Sequence, residues 1–407
     1  DWIATGAKPD ATPGQAVKLE ILPGHRVLNA PAKTQQVAVL VTFADGKTRD
    51  VTPLAYYSSS SPEIAEVDEA GFVSFKMRGE AAIIAHYLDL VAIVRLTHLV
   101  EVPGFRAAAI PTDNPIDAAV YAKLNRMRIA PSELSTDREF IRRVYLDTIG
   151  VLPRPEETQA FVNDPAKNKR DQLIDRLLQR DELLDFWTLK FADVLRSNSR
   201  LIQSKGTYLF HRWIRTRLES DVPLDEMVRD LITADGSTFQ NPAANYYRIS
   251  RDPESSVETT AQLFLGVRIQ CAKCHNHPFE RWTQDDYYGF AAFFARVKQK
   301  KGGMIDDEVV FTSTDGEVRQ PRTGQVMKPK ALGGPVLEPS KTGDGDRRVE
   351  LARWLTLPDN PFFARGLANR IWYHLVGRGV VEPVDDFRDS NPASNDELLD
   401  VLAATLV

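Results

Sequence analysis

Cys271-Ala272-Lys273-Cys274-His275 places two thiols three positions apart, with an imidazole directly after the second. That spacing is the attachment signature of a c-type haem. Two thiols at a helix end can reach the two vinyl groups of one porphyrin. The next side chain, His275, can then hold the iron from the proximal side. The chain has no third cysteine, so accident is a poor explanation of this spacing. Cys271, Cys274 and His275 are therefore the candidate cofactor-binding residues, with haem c as the cofactor.

Other chemistry fits the same residues. A non-haem metal such as zinc could use Cys271, Cys274, His275 and His277, but a tetrahedral site usually draws its second pair of ligands from farther along the chain. A short-loop disulfide of the C-x-x-C type is a further option, although no thioredoxin-like βαβ pattern surrounds it. Two reduced thiols without function, and no cofactor at all, complete the set. If haem binds, the sixth ligand decides between electron transfer and ligand binding. Met327 is the candidate for it, with Met304, His211 and His374 behind. For each of these the plainer reading competes: Met327 as a loop anchor, His374 as an interior histidine.

The surrounding elements must position these groups. The cysteines follow an apolar stretch, Val257 to Ile269, within a helix expected over 254–270. Trp282, Tyr287, Tyr288, Phe290, Phe293 and Phe294 come next. Thr283 can N-cap a helix with Asp285 and Asp286 in its first turn. This helix could wall a porphyrin or simply fill a core. The basic run Arg296–Lys301 reads as a solvated face at its end. Further helices are expected from residue 116, where Asn114-Pro115 reads as N-cap and N1, at the Thr136/Glu139 capping box, and over 155–163, 168–197, 207–219, 223–234, 346–357 and 361–376. Gly377 ends the last of these. Ser394 with Glu397 reads as a final capping box.

Residues 17–102 read differently. Alternation at Val17–Leu22, a β-branched run at Val37–Phe43, the Asp45-Gly46 turn and short segments at 64–67, 72–75, 81–85 and 90–96 suggest a β-sandwich. The stretches Thr42–Thr52, Ser61–Ala65 and Gly71–Val73 resemble bacterial immunoglobulin-like domains of group 2, which implies an extracytoplasmic spacer or adhesion module. The expected fold is thus multidomain: an N-terminal linker (1–16), an all-β immunoglobulin-like sandwich (17–102), a proline-bearing linker (103–115), a mainly α domain (116–301), a long irregular Gly/Pro-rich region (302–345) and a helical segment (346–407).

Composition narrows the field. Fifty-one basic against 56 acidic residues give a net charge of −5, which argues against a chain built around nucleic-acid phosphates. No apolar run is long enough for a transmembrane helix. The chain opens at Asp1 without a leader pattern, and the apolar helix at its end lacks a stop signal. A piece of a longer protein is expected.

The run Cys271 to Gly289 resembles the DUF1549 family, also called planctomycete cytochrome C domain 2. The likeness extends through Tyr145–Pro155, Trp213-Ile214 and Val222–Arg229. Residues 346–407 resemble the start of the DUF1553 family, through Trp354-Leu355-Thr356, Asn360–Arg365, Asn369–Trp372 and Glu382–Arg388. The resemblance implies a secreted or envelope-associated protein, often with an upstream cytochrome domain, and it implies no established reaction. Position 276 is Asn where the resemblance implies Asp in many relatives. The expectation is an extracytoplasmic c-type haem protein that transfers electrons during oxidation of an external substrate, with a redox partner protein or upstream cytochrome domain. The alternatives are a cell-surface binding or scaffold protein whose Cys/His cluster is a structural metal site or disulfide, and a polysaccharide-active enzyme, for which no carboxylate spacing marks a catalytic pair.

Overall fold

The structure is a computed structural model that describes residues 14–277, 280–337 and 345–406. Among them lie two compact units. The first holds the chain up to Pro131 together with Asn276–Arg281 and Arg388–Ser394. The second holds Ser132–His275, Trp282–Phe387 and the chain from Asn395.

Between residues 16 and 99 the first unit is built of β-strands, with one 3-10 turn at Thr52–Leu54. Its strands form three sheets. Ala16–Leu22 and Thr48–Asp50 flank Ala38–Phe43. Arg26–Asn29, Leu90–Leu99, Gly79–Tyr87 and Tyr56–Ser59 form the second in that order. Thr34–Gln36, Phe72–Phe75 and Ala65–Val67 form the third. Alternation does the sorting: Leu19, Ile21, Val39 and Val41 point inward and join Ile83, Ala85, Val94 and Leu96 in one core. The Asp45-Gly46 turn is present, with Gly46 at φ 81° and the Lys47 N–H donating to the Asp45 carboxylate. The helix Pro115–Arg126 also belongs to this unit. Asn114 caps it by accepting from Ile116 and Asp117 N–H.

The second unit is mainly helical. The Thr136/Glu139 capping box opens Asp137–Ile149, and Pro155–Asn163 lies where its sequence places it. The single helix expected over 168–197 is instead two, Lys169–Leu178 and Asp181–Val194. Arg180 between them is extended and bridges Glu157 and Glu182, while Asp181 and Glu182 suit the first turn of a new helix. Ser199–Glu219 starts earlier than its apolar spacing suggests and is kinked at Gln203, φ 61°. Leu224–Ile232, Arg347–Leu355 and Phe363–Val376 follow the expected positions, the last ended by Gly377 in the left-handed region. Asp396–Leu406 is capped by Asn395, which accepts from Leu398 N–H, one residue later than the sequence implies.

The basic run after the aromatic helix is not a helix end. Val297–Lys301 is an edge strand paired with Glu308–Thr312, which in turn pairs with Gly236-Ser237. Lysines on an exposed edge discourage pairing with another chain. Much of the irregular region is therefore ordered, with further short bridges at Arg319–Val326 and Lys330–Val336; residues 338–344 lie outside the described ones. The core gathers Phe210, Ile214, Leu231, Tyr246, Tyr247, Phe290 and Phe294 with Leu351. Arg348 is buried in it at 1% exposure, held by Asp346, the Ala234 carbonyl and Thr312, with its guanidinium over the Tyr247 ring. A buried guanidinium survives only when its donors are met in this way.

Candidate functional site

The helix that leads to the thiols stops before them. Asp252 caps Pro253–Thr260, and the chain then widens into a π turn over Ala261–Leu265. Gly266 closes that turn at φ 66°, and its carbonyl accepts from Phe387 N–H at 2.8 Å. Asp385 ties the same stretch down by accepting from Gln262 at 2.6 Å and pairing with Arg268. The expected unbroken helix over 254–270 is thus corrected: the π turn and Gly266 redirect the chain where it meets Phe387. Such single π turns often occur at functional sites.

Val267 and Ile269 are buried, and a 3-10 turn, Gln270–Lys273, carries the first thiol. Ala272 is fully buried and anchors the turn. Cys271 and Cys274 are exposed and free, and His275 is exposed beside them. Cys274 and His275 N–H both donate to the Cys271 carbonyl at 3.3 Å. The three predicted cofactor-binding residues therefore share one short surface turn.

The aromatic helix, Gln284–Ala291, sits beneath this turn. Thr283 and Asp286 form its capping box. Tyr287, Phe290, Phe293 and Phe294 are buried in the core of the unit, so these rings are core. Tyr288 reaches the turn: its hydroxyl donates to the Lys273 carbonyl at 3.2 Å. Burial pushes the Tyr288 phenol up, with Glu254 and Cys274 adding to the effect. Gln284 donates from its side-chain amide to the carbonyls of Lys273 and Cys274 at 3.0 and 3.2 Å. The turn is held from below through its backbone, and its thiols face outward.

The remaining candidates are scattered. His277 is half-buried and belongs to the stretch grouped with the first unit. Met327 is half-buried and packs on the core of the second unit; its N–H donates to the Val318 carbonyl. Met304 is 49% exposed. His374 stands edge-on to Trp187 at 6.1 Å, and burial pulls its pKa down. Among the described residues, no group of three or more His, Cys, Asp or Glu side chains is arranged to hold a metal ion.

One group escapes a reading by spacing. Glu280 is 4% exposed and accepts from the N–H and hydroxyl of Ser390 at 3.3 and 3.2 Å. Burial first, then the nearby Asp389 carboxylate, pushes its pKa up to about 7. Its partner is 110 positions away, so no local signal marks it. Gln284 and Gln320, which meet at 2.9 Å, escape for the same reason.

Residues 115–299 match the PSCyt2 family, described as a protein of unknown function (DUF1549), and residues 347–407 match the PSD1 family, described as a protein of unknown function (DUF1553). No curated protein matches the chain. The chain thus carries a segment similar to the DUF1549 family followed by one similar to the DUF1553 family, in that order.

Proposed function

We propose that the turn at Cys271, Cys274 and His275 is a c-type haem attachment site and that the protein transfers electrons. The observation that carries this reading is the placing of the three groups. Both thiols are free and exposed on one turn, the imidazole stands exposed next to them, and the backbone beneath is fixed by Tyr288 and Gln284. That donor set fits the group. Cys271 and Cys274 would hold the porphyrin through thioethers, each S–H adding across one vinyl group, and His275 would hold the iron. When bound, the haem supplies reversible one-electron chemistry. The chain's own part is to keep both sulfurs accessible on the surface and the imidazole beside them.

Within this reading Met327 is the candidate sixth ligand. Because covalent haem attachment normally occurs outside the cytoplasmic membrane, the location is the periplasm or cell surface, consistent with an immunoglobulin-like first unit. Among the described residues no helix is long and apolar enough to cross a membrane. A redox partner protein, or a cytochrome domain on the same polypeptide, would exchange electrons with it to oxidise an external substrate.

The test is production of the protein with c-type maturation machinery, followed by denaturing electrophoresis and a haem stain. The expected result is a stained band that is lost in the Cys271→Ser, Cys274→Ser double variant. A colourless protein would overturn the reading. Stoichiometric zinc in it would favour a structural metal site, and loss of free thiols on air oxidation a disulfide.

A further inference from the structure

A 3-10 turn of four residues does not hold its own end. The carbonyls of Lys273 and Cys274, which precede Cys274 and His275 respectively, receive bonds from outside the turn, from Tyr288 and Gln284. Gln284 is itself held. Its side-chain carbonyl accepts from the amide of Gln320 at 2.9 Å, and the Gln320 carbonyl accepts from Thr323 N–H at 2.7 Å. Gln320 is 1% exposed. It sits in a tight backbone loop in which Gln320 N–H donates to Gln325, Gly324 N–H to Gln320 and Met327 N–H to Val318. Lys330 docks the same segment on the aromatic helix, through its ammonium to Asp286 at 2.7 Å and its N–H to Gly289 at 2.9 Å.

The direction of this chain of amides is fixed at both ends. A backbone N–H can only donate, so the Gln320 oxygen must face Thr323. A backbone carbonyl can only accept, so the Gln284 nitrogen must face Lys273 and Cys274. Neither amide can turn over without leaving two like groups facing each other. Bonds aligned in this way also strengthen one another.

We infer that Gln284 and Gln320 are positioning residues of the thiol turn: an oriented amide relay from the 318–327 loop sets where Cys274 and His275 stand. Its meaning for haem attachment rests on the reading proposed above. The relay also connects the loop bearing Met327 to the turn bearing His275.

The experiment uses the full chain before haem attachment. Gln284→Glu keeps the shape and places a carboxylate in the first turn of its helix, where it suits the dipole, but it cannot donate while ionised. The readout is hydrogen exchange of the peptide covering Gln270–His275, since the thiols of Cys271 and Cys274 are already exposed and react without an opening of the turn. Loss of one or two hydrogen bonds predicts exchange to rise about 5- to 30-fold at neutral pH, with the melting transition preserved. As pH falls through the carboxyl range, the protonated side chain regains a donor, and the ratio to wild type returns toward one. Gln320→Glu, which forces Gln284 to turn its donor away, must loosen the turn in the same way. Exchange equal to wild type in a folded Gln284→Glu protein, or a ratio flat across the carboxyl range, would overturn the inference. If the relay behaves as stated but no haem attaches, the haem reading fails and the positioning role stands.

Discussion

Gly266 and Phe387 approach so closely that a Cβ on Gly266 would stand 2.7 Å from the phenyl ring. Gly266 also lies at φ 66°, where a side chain is disfavoured on the backbone alone. The contact is what turns the chain from the helix Pro253–Thr260 toward the thiols. Gly266→Ala is expected to destabilise the second unit by about 2–4 kcal/mol, combining backbone strain and overpacking. Urea unfolding of the variant measures this; a midpoint equal to wild type contradicts it.

Thr283 accepts from Asp286 N–H at 3.2 Å, and the Asp286 carboxylate accepts from Thr283 N–H at 3.0 Å. Thr283→Ala is expected to cost about 1 kcal/mol. Because this helix supports the thiol turn, amide exchange at Gln284–Ala291 and at Gln270–His275 should rise together. Exchange confined to the helix start would separate the two elements.

Glu280 sets a pH dependence with a definite sign. Its ordinary value of 4.5 is raised to about 7 in the folded protein, chiefly by burial. The folded form holds the proton more tightly, so stability is full below about pH 4.5 and falls as pH rises through 7. The loss amounts to roughly 3 kcal/mol. Glu280→Gln keeps the size, abolishes that slope and stabilises the protein above pH 7. Thermal unfolding between pH 5 and 8 checks it; parallel curves for wild type and variant would show that Glu280 does not titrate there.

Arg348 is the buried cation on which the core around Tyr247 depends. Arg348→Ala leaves Asp346 without its partner and empties a large volume. The expected cost is about 3–5 kcal/mol. Arg348→Lys restores little of it, since a single ammonium cannot reproduce the bonds to Asp346, Ala234 and Thr312 at once.

Local chemistry was legible in the residues. The capping box at Thr136, the N-cap at Thr283, the helix at 155–163 and the stop at Gly377 depend on neighbours within four positions, and the structure has them. The strand at 72–75 and the alternation at Val17–Leu22, which turns Leu19 and Ile21 inward, likewise follow from the pleat. The breaks were not legible where a distant side chain decides them. Residues 254–270 have a helical pattern throughout, yet Phe387 and Asp385 from far along the chain impose the π turn and the exit at Gly266. The helix expected over 168–197 breaks at Arg180, which answers to Glu157 in another helix. The basic run at 296–301 takes strand form because Glu308–Thr312 pairs with it. The thiol turn was legible as a motif, but its support by Gln284 and Gln320 spans positions that no spacing rule connects.

Intact-protein mass spectrometry under denaturing conditions probes the haem proposal most directly. Addition of two S–H bonds across two vinyl groups expels nothing, so protein matured with haem should gain the mass of one haem and lose both titratable thiols, while the Cys271→Ser, Cys274→Ser variant gains nothing. An unchanged mass with both thiols still titratable, in protein made beside a control cytochrome that matures normally, would contradict it.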